Sequence, residues 1–325
     1  MTLTQLRYFA AIIDAGLNIT DAARKVHGTQ SGLSKQVKQL EDELGFKLFT
    51  RRARSLIALT PEGERVLEHV RPLLDHARNI RALSANLRHS TEGELHIATT
   101  HTQARHVLPP ALARLKRTFP RVIVHLSPAG NTESLARLRH GESDLAIIST
   151  GHAPPEADIA LPLYRWNRVV VAPAGHRLAL LPRPLRLQDL ARWPLISYES
   201  SRDRDSSLRR AFQQQSLEPA IAMTAPDADL IKTYVRAGQG IGILAEMAVG
   251  EPEEDLVTLA ADDLFPTCTA WLLLRRDRLL RDYALAFIGY LLPHVHCNDL
   301  RRTLDRSGPC NWDIPHWRDL RHRSG

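Results

Sequence analysis

Residues 19–45 read ITDAARKVHGTQSGLSKQVKQLEDELG, and the hydrophobic spacing in them decides the N-terminal fold. Ile19, Ala22, Ala23 and Val26 recur at i, i+3, i+4 and i+7, which predicts one short amphipathic helix. Thr20 is its expected N-cap, and Gly28 the residue expected to end it in a left-handed conformation. Thr29 caps a second helix, whose Leu33, Val37, Leu40 and Leu44 form a buried stripe. The other face of that helix carries Gln30, Ser31, Ser34, Lys35 and Lys38, crowded toward its start beside Thr29. Hydrogen-bonding and cationic side chains there suit a helix-turn-helix, whose second helix lies in the major groove with its first turns on base edges and phosphates. An ordinary surface hairpin with a solvated polar face is the alternative.

The flanks favour the DNA-binding reading. LTQLRYFAAIIDAGL, at residues 3–17, is a further amphipathic helix with Leu6, Phe9, Ala10 and Ile13 on one side, and it supplies the third helix a small core needs. FKLFTRRARSLIALTPEG, from Phe46, reads as a two-stranded wing with Arg51, Arg52 and Arg54 at its bend, suited to phosphate or minor-groove contacts. A long helix then runs from Thr60, its cap, and Pro61 to about Leu87. Val66, Val70, Leu73, Leu74, Ala77, Ile80 and Leu83 recur there near every 3.5 residues, the pattern of a dimer seam; Pro72 is expected to kink it. Packing on its own domain is the competing reading for this stripe.

Charge divides the chain in the same way. Residues 1–59 hold 9 Lys+Arg against 5 Asp+Glu, residues 91–299 hold 23 against 24, and residues 300–325 hold 6 against 3. A cationic head on a nearly neutral body fits nucleic acid at one end and a small molecule at the other. Cys268, Cys297 and Cys310 have no framework spacing, which fits a reducing cytosol. MTLTQLRYF reads as a folded helix and not a signal peptide, and no apolar run approaches a membrane span, so a cytoplasmic protein without membrane contact is expected.

From about Glu94 the pattern becomes α/β. ELHIAT, PRVIVHLSP and DLAIIST read as strands separated by helices; ALPLYRWNRVVVAP is a long extended segment crossing to a second lobe that repeats the alternation through LISYES, AIAMTA and GIGIL. CTAWLLLRR returns the chain to the first lobe before a last helix. Ligands in such lobes sit beyond strand carboxyl ends. Three turns qualify: Thr99 to Gln103, whose hydroxyls and amide suit an anion held without a full counter-charge; Ser149-Thr150; and Ser197 to Ser206 with Arg202 and Arg204. Helix capping alone is the competing account of each.

LRYFAAIIDAGLNITDAARKVHGTQSGLSKQVKQLEDELGFKLFTRR and LTPEGERVL resemble the LysR-type transcriptional regulators, closely from Leu6 through Leu67 and more loosely over most of the chain. The resemblance implies a winged helix-turn-helix at 1–59, a linker and dimerisation helix at 60–90, a two-lobed α/β effector domain of periplasmic-binding-protein type at 91–299, and a basic tail at 300–325. It implies promoter DNA and a small-molecule inducer or anion as partners, a homodimer or homotetramer, RNA polymerase as a further partner, and no cofactor, metal or enzymatic activity. IATTHTQARHVLP, YRWNRVVV and TAPDADLIKTYVRAGQGIGILAEMAV resemble the CysB and Cbl branch, which regulates cysteine biosynthesis and sulfur use. That likeness implicates Thr100, Thr102 and Gln103 in holding sulfate or an acetylated serine, with Ser149, Tyr164 and Trp166 near the pocket. Asp203 stands where the branch has an anion-binding threonine. Either Ser201 or Arg202 takes that role, or the ligand carries an ammonium group, as O-acetylserine does.

Other classes fare worse. The chain shows no serine elbow, zinc-ligand helix or phosphate loop, and GQGIG at 238–242 is a helix-to-strand turn. A solute-binding protein would not carry this head. A metal sensor built on His294, His296, Cys297 and Cys310 matches no zinc spacing. The tail, with Trp312 and Trp317, either adds DNA contacts or packs on the body.

Overall fold

The computed structural model describes residues 1–52, 55–151, 153–250, 253–306 and 312–321, with the side chains at 297, 305, 306 and 321 excepted. Its first helices are α1 (Leu3–Asp14), α2 (Ile19–Lys25) and α3 (Gln30–Leu44). Leu6, Phe9, Ala10, Ile12, Ala22, Leu33, Val37 and Leu40 bury together, so each helix hides its apolar stripe against the other two. Three local expectations change. Asn18, and not Thr20, caps α2, its Oδ1 accepting from the amides of Thr20 and Asp21. The left-handed residue after α2 is His27, at φ 53°, and not Gly28. On α1 it is Ile12 that is fully buried, while Ile13 is half-buried.

Strands β1 (Phe49–Arg52) and β2 (Ser55–Leu59) pair antiparallel as the wing. Glu41, one turn before the end of α3, is buried at 2 % exposure and ties helix to wing. Its Oε1 accepts from the amides of Leu48 (3.0 Å) and Phe49 (3.4 Å), and its Oε2 from Lys47 Nζ (3.2 Å). A buried carboxylate is tolerated because those donors satisfy it. α4 (Pro61–Leu87) starts at the Thr60 cap, and Gly63 lets it approach the wing, since a Cβ there would lie 2.2 Å from the Leu48 carbonyl oxygen. The stripe on α4 splits. Val66, Val70 and Leu74 pack into the three-helix core, whereas Leu73, Ile80, Leu83 and Leu87 are exposed, Ile80 at 70 % and Leu87 at 72 %. The domain-packing reading holds for the first turns, and the seam pattern survives only in the second half.

Residues Met1–Arg88 and His89–Gly325 form separate compact units. In the second, the elements are β3 (Glu92–Thr99), α5 (His101–His106), α6 (Leu108–Thr118), β4 (Arg121–Pro128), α7 (Asn131–Arg139), β5 (Leu145–Thr150), β6 (Ile159–Trp166), β7 (Arg168–Pro173), α8 (Leu187–Leu190), β8 (Leu195–Tyr198), α9 (Ser207–Gln214), β9 (Ile221–Ala225), α10 (Ala228–Arg236), β10 (Ile241–Ala245), β11 (Leu256–Ala260), β12 (Cys268–Leu274), α11 (Asp282–Leu291), α12 (Cys297–Arg306) and α13 (Trp317–Arg321). Among the described residues the strands form two sheets, β4-β3-β5-β12-β6 and β11-β7-β10-β8-β9. In each, three neighbouring strands are parallel, the fourth (β12 or β7) runs against them, and the fifth (β6 or β11) pairs antiparallel with the fourth and so runs with the first three.

The lobes therefore repeat one plan, and the chain crosses between them twice. Asn167 separates β6 of the first sheet from β7 of the second, and β12 carries the chain back. α6 and α11 cover one face of the first sheet and α7 the other. α8 and α9 cover one face of the second, and α10 the other. Two expectations fell short: β3 begins at Glu92, where Glu92 registers with Arg121, and not at Glu94; and edge strand β11 was not expected at all. No described helix is long and apolar enough to cross a membrane.

Candidate DNA-reading surface and effector cleft

On α3 the buried stripe faces inward and leaves the opposite side to solvent. Thr29, Gln30, Ser31, Lys35 and Lys38 are exposed and Ser34 is half-buried. Thr29 Oγ1 accepts from the Gly32 amide (3.1 Å), which fixes the first turn and the direction in which Gln30 and Ser31 project. Arg51 and Arg52 are exposed on the wing. Arg51 also stands 3.9 Å from the Glu41 carboxylate, so that buried acid holds part of the wing's positive charge near α3. Arg54 lies outside the described residues.

Between the two lobes lies a cleft of about 480 Å³. Ser149, at the end of β5, shows how its wall works. Its Oγ accepts from Gln103 Nε2 (3.3 Å) and from Trp166 Nε1 (3.2 Å). With both lone pairs used, the hydroxyl can meet a ligand only as a donor. Tyr198, at the end of β8, repeats the arrangement: its hydroxyl oxygen accepts from the Ala245 amide (3.1 Å) and from Thr102 Oγ1 (3.3 Å). Burial pushes the Tyr198 phenol pKa up, so it stays neutral and keeps its proton.

Arg168 adds a full positive charge at the first residue of β7. Its guanidinium donates to Ser207 Oγ (2.7 Å), Cys268 Sγ (3.2 Å) and the Pro266 carbonyl (3.4 Å), and lies 5.7 Å from the ring centres of both Trp166 and Phe265. The N-termini of α7 and α9 also border the cleft, through Gly130 and Asn131 and through Ser206 and Ser207, and helix N-termini favour negative charge. The same lining also holds three acids, Glu199, Asp203 and Asp205, on the stretch between Tyr198 and the start of α9. Arg210 stands 3.7 Å from Asp205, which leaves Asp203 and Glu199 as the carboxylates less engaged by that cation.

Contacts between the lobes hold the cleft in its present closure. Arg105 of α5 pairs with Asp229 of α10 at 2.5 Å, Thr102 reaches Tyr198, and Gly151 meets Ser207 so closely that a Cβ on it would lie 2.5 Å from Ser207 Cβ. Asn167 knits the crossing strands, donating from its amide to Glu246 Oε1 (2.8 Å) and from Nδ2 to Asp262 Oδ1 (2.8 Å). The tail straps the same place: Arg318 donates to Glu246 Oε2 (2.6 Å) and Asp262 Oδ1 (2.8 Å), and Trp317 packs on Tyr164 with ring centres 5.2 Å apart. Of the two readings of the tail, packing on the body is the one the structure displays for α13.

Comparison with known proteins decides the family. Residues 3–64 match the model described as bacterial regulatory helix-turn-helix protein, lysR family, and residues 88–295 match LysR substrate binding domain. The chain belongs to the LysR family of transcriptional regulators. It is 38% identical over 297 residues to the HTH-type transcriptional regulator CysB of Haemophilus influenzae, covering 91% of each chain. It is 35% identical over 308 residues to the regulator cbl of Escherichia coli, covering 94% of this chain and 97% of that one. Among solved structures, the cofactor-binding domain of the Cbl transcriptional regulator superposes with a TM-score of 0.60 at 35% identity, over 67% of this chain and 95% of that one. These relatives are regulators and not enzymes.

Within this LysR-family chain, Thr100, Thr102, Gln103, Ser149, Trp166 and Asp203 line the cleft. Thr100 and Thr102 are partly committed, Thr100 Oγ1 as the cap that accepts from the Gln103 amide (3.4 Å) and Thr102 through Tyr198. Tyr164 is not at the cleft wall. It is buried behind Gln103, donating its hydroxyl to Gln103 Oε1, and burial raises its pKa. Arg202 also stands away from the wall, exposed on the turn after β8, whereas Ser201 does reach it. The expectation of an anion site without a full counter-charge is corrected by Arg168. Sequence reasoning passed over Arg168 because an arginine opening a strand looks like any edge cation, and over Tyr198 because its partner Thr102 is distant in the chain.

Proposed function

We propose that this LysR-type regulator binds a near-palindromic promoter site as a dimer and is switched by a small metabolite of sulfur assimilation held between its lobes. Sulfate, thiosulfate, O-acetylserine and N-acetylserine are the candidates, and the names of the relatives CysB and cbl support that class. One observation carries the choice of ligand chemistry: a cleft with Arg168, Ser149 and Tyr198 as donors and with Asp203 and Glu199 as acids. A zwitterion with a carboxylate for the donors and an ammonium for the acids satisfies both, which favours O-acetylserine over a bare anion. A small amino acid of another pathway would use the same groups. DNA contact falls to Thr29, Gln30, Ser31, Ser34, Lys35 and Lys38 of α3 and to Arg51, Arg52 and Arg54 of the wing. The exposed Ile80, Leu83 and Leu87 on α4 supply apolar surface for a second copy, and the work is done in the cytoplasm, where the promoter is.

Population shift is the mechanism: the effector favours the lobe arrangement it binds better, and only its differential affinity moves the equilibrium. Titration of the full chain with the four candidates, read as a rise in melting temperature and as a change in promoter affinity, tests the proposal. O-acetylserine is expected to give the largest shift. A response to none of the four, with promoter binding intact, would move the ligand to another pathway.

A further inference from the structure

The outer surface of the first lobe carries a cluster that effector binding does not use. β3 and β4 are parallel neighbours, and His96 registers opposite His125. Glu94 precedes His96 by two residues, so the strand's pleat puts both side chains on one face. The imidazole rings stack with centres 4.5 Å apart and planes 10° apart. His96 Nε2 is 3.2 Å from Glu94 Oε2, and His125 Nε2 is 3.8 Å from the same oxygen. The three ligand atoms all lie within 4.8 Å of one another.

We propose that Glu94, His96 and His125 form a binding site for a borderline divalent transition-metal ion, of which Zn²⁺ is the type. Two imidazoles and one carboxylate are a donor set such ions prefer over Mg²⁺ or Ca²⁺, which take oxygen. Bonds of about 2.0–2.2 Å in a tetrahedron put ligand atoms roughly 3.4 Å apart. The two contacts to Glu94, at 3.2 and 3.8 Å, already bracket that separation, and the two imidazoles, one exposed and one half-buried, need only turn about their side-chain bonds to converge.

The backbone beneath is fixed. The Glu94 carbonyl accepts from the Tyr283 hydroxyl (2.7 Å), and the His96 amide donates to Asp144 Oδ2 (2.9 Å). The site is therefore built on paired strands and not on a loop. Three protein ligands leave one position open to water, and the ion clasps edge strand β4 to β3. The cluster is remote in sequence from His294, His296, Cys297 and Cys310. Of that group Cys310 and the Cys297 side chain lie outside the described residues.

The test is a calorimetric titration of the full chain with Zn²⁺ alone, with Co²⁺ absorbance as a second reading of coordination. The chain has 15 histidines, so the comparison between variants is the measurement. Wild type is expected to bind one high-affinity Zn²⁺ per chain and to show the intense visible bands of tetrahedral Co²⁺. His96→Gln and His125→Gln are each expected to weaken that site by more than the roughly 10–100-fold typical of losing an outer-shell partner, Glu94→Gln by about tenfold or more, and His69→Gln not at all. Glu94 and His125 are exposed and His96 is half-buried on the sheet surface, so these variants should fold, and their circular dichroism should match wild type. Identical titrations of wild type and the His96→Gln, His125→Gln double variant would overturn the proposal, as would the absence of a high-affinity site in wild type.

Discussion

Gln30 stands exposed on the first turn of α3, next to the threonine that caps it. A carboxamide at that position can make a paired contact with one base edge, so Gln30→Ala should cost about 1–3 kcal/mol at one base pair and flatten the preference there. Binding measured against a set of single-base operator variants checks this; uniform weakening across the set would assign Gln30 to the phosphate backbone. Arg168 is the matching residue in the cleft. Its three hydrogen bonds aim a positive charge into the cleft wall. Arg168→Gln should weaken an anionic or carboxylate effector about tenfold to a hundredfold, the worth of a charged hydrogen bond, while promoter affinity without effector stays close to wild type. Isothermal titration and a gel-shift assay read the two halves separately.

Elements bring distant residues into service. β5 and α5 deliver Ser149 and Gln103 to each other, and β6 adds Trp166, which together convert a serine into a one-way donor. α13 acts on the same wall from behind, because Trp317 lies on Tyr164 and Tyr164 donates to Gln103. Trp317→Ala should remove apolar burial worth about 2 kcal/mol from the effector unit. It should also weaken the effector, since Gln103 loses its buffer against motion. Denaturant unfolding of the full chain and effector titration check the two effects, and unchanged affinity beside lowered stability would limit the tail to bracing. The charge pattern of residues 300–325 pointed to DNA as readily as to packing, because net charge says nothing about which cations find carboxylates; Arg318 finds Glu246 and Asp262.

At the scale of the whole effector unit, the question is how closely the lobes approach. Gly151 and Ser207 come from different lobes and meet with no room for a methyl group. Gly151→Ala should wedge this closure apart at a cost of about 1–3 kcal/mol, lowering effector affinity by a comparable factor and shifting the regulator toward its effector-free promoter response. If the variant bound effector as wild type does, the observed closure would not be the one that binds. The amphipathic periods of residues 3–45 sufficed for the three-helix head, because each helix there needs only its own stripe and its neighbours in sequence. Alternating strands and helices likewise announced two α/β lobes, and turn chemistry after β3, β5 and β8 marked the cleft.

What lay beyond reach was everything fixed by register or by pairs far apart in the chain. Edge strand β11 has little periodicity of its own and exists because β7 offers it an unpaired side. Arg168 becomes a cleft-lining cation only where Ser207 and Cys268 hold it, and His96 meets His125 only because β3 and β4 pair in that register. Sequence alone determined the modules, since local hydrophobic period and capping act over a few residues. The tertiary structure decided which charges face the cleft, because electrostatic and coordination chemistry depend on distances of a few ångströms between groups that the chain keeps tens of residues apart.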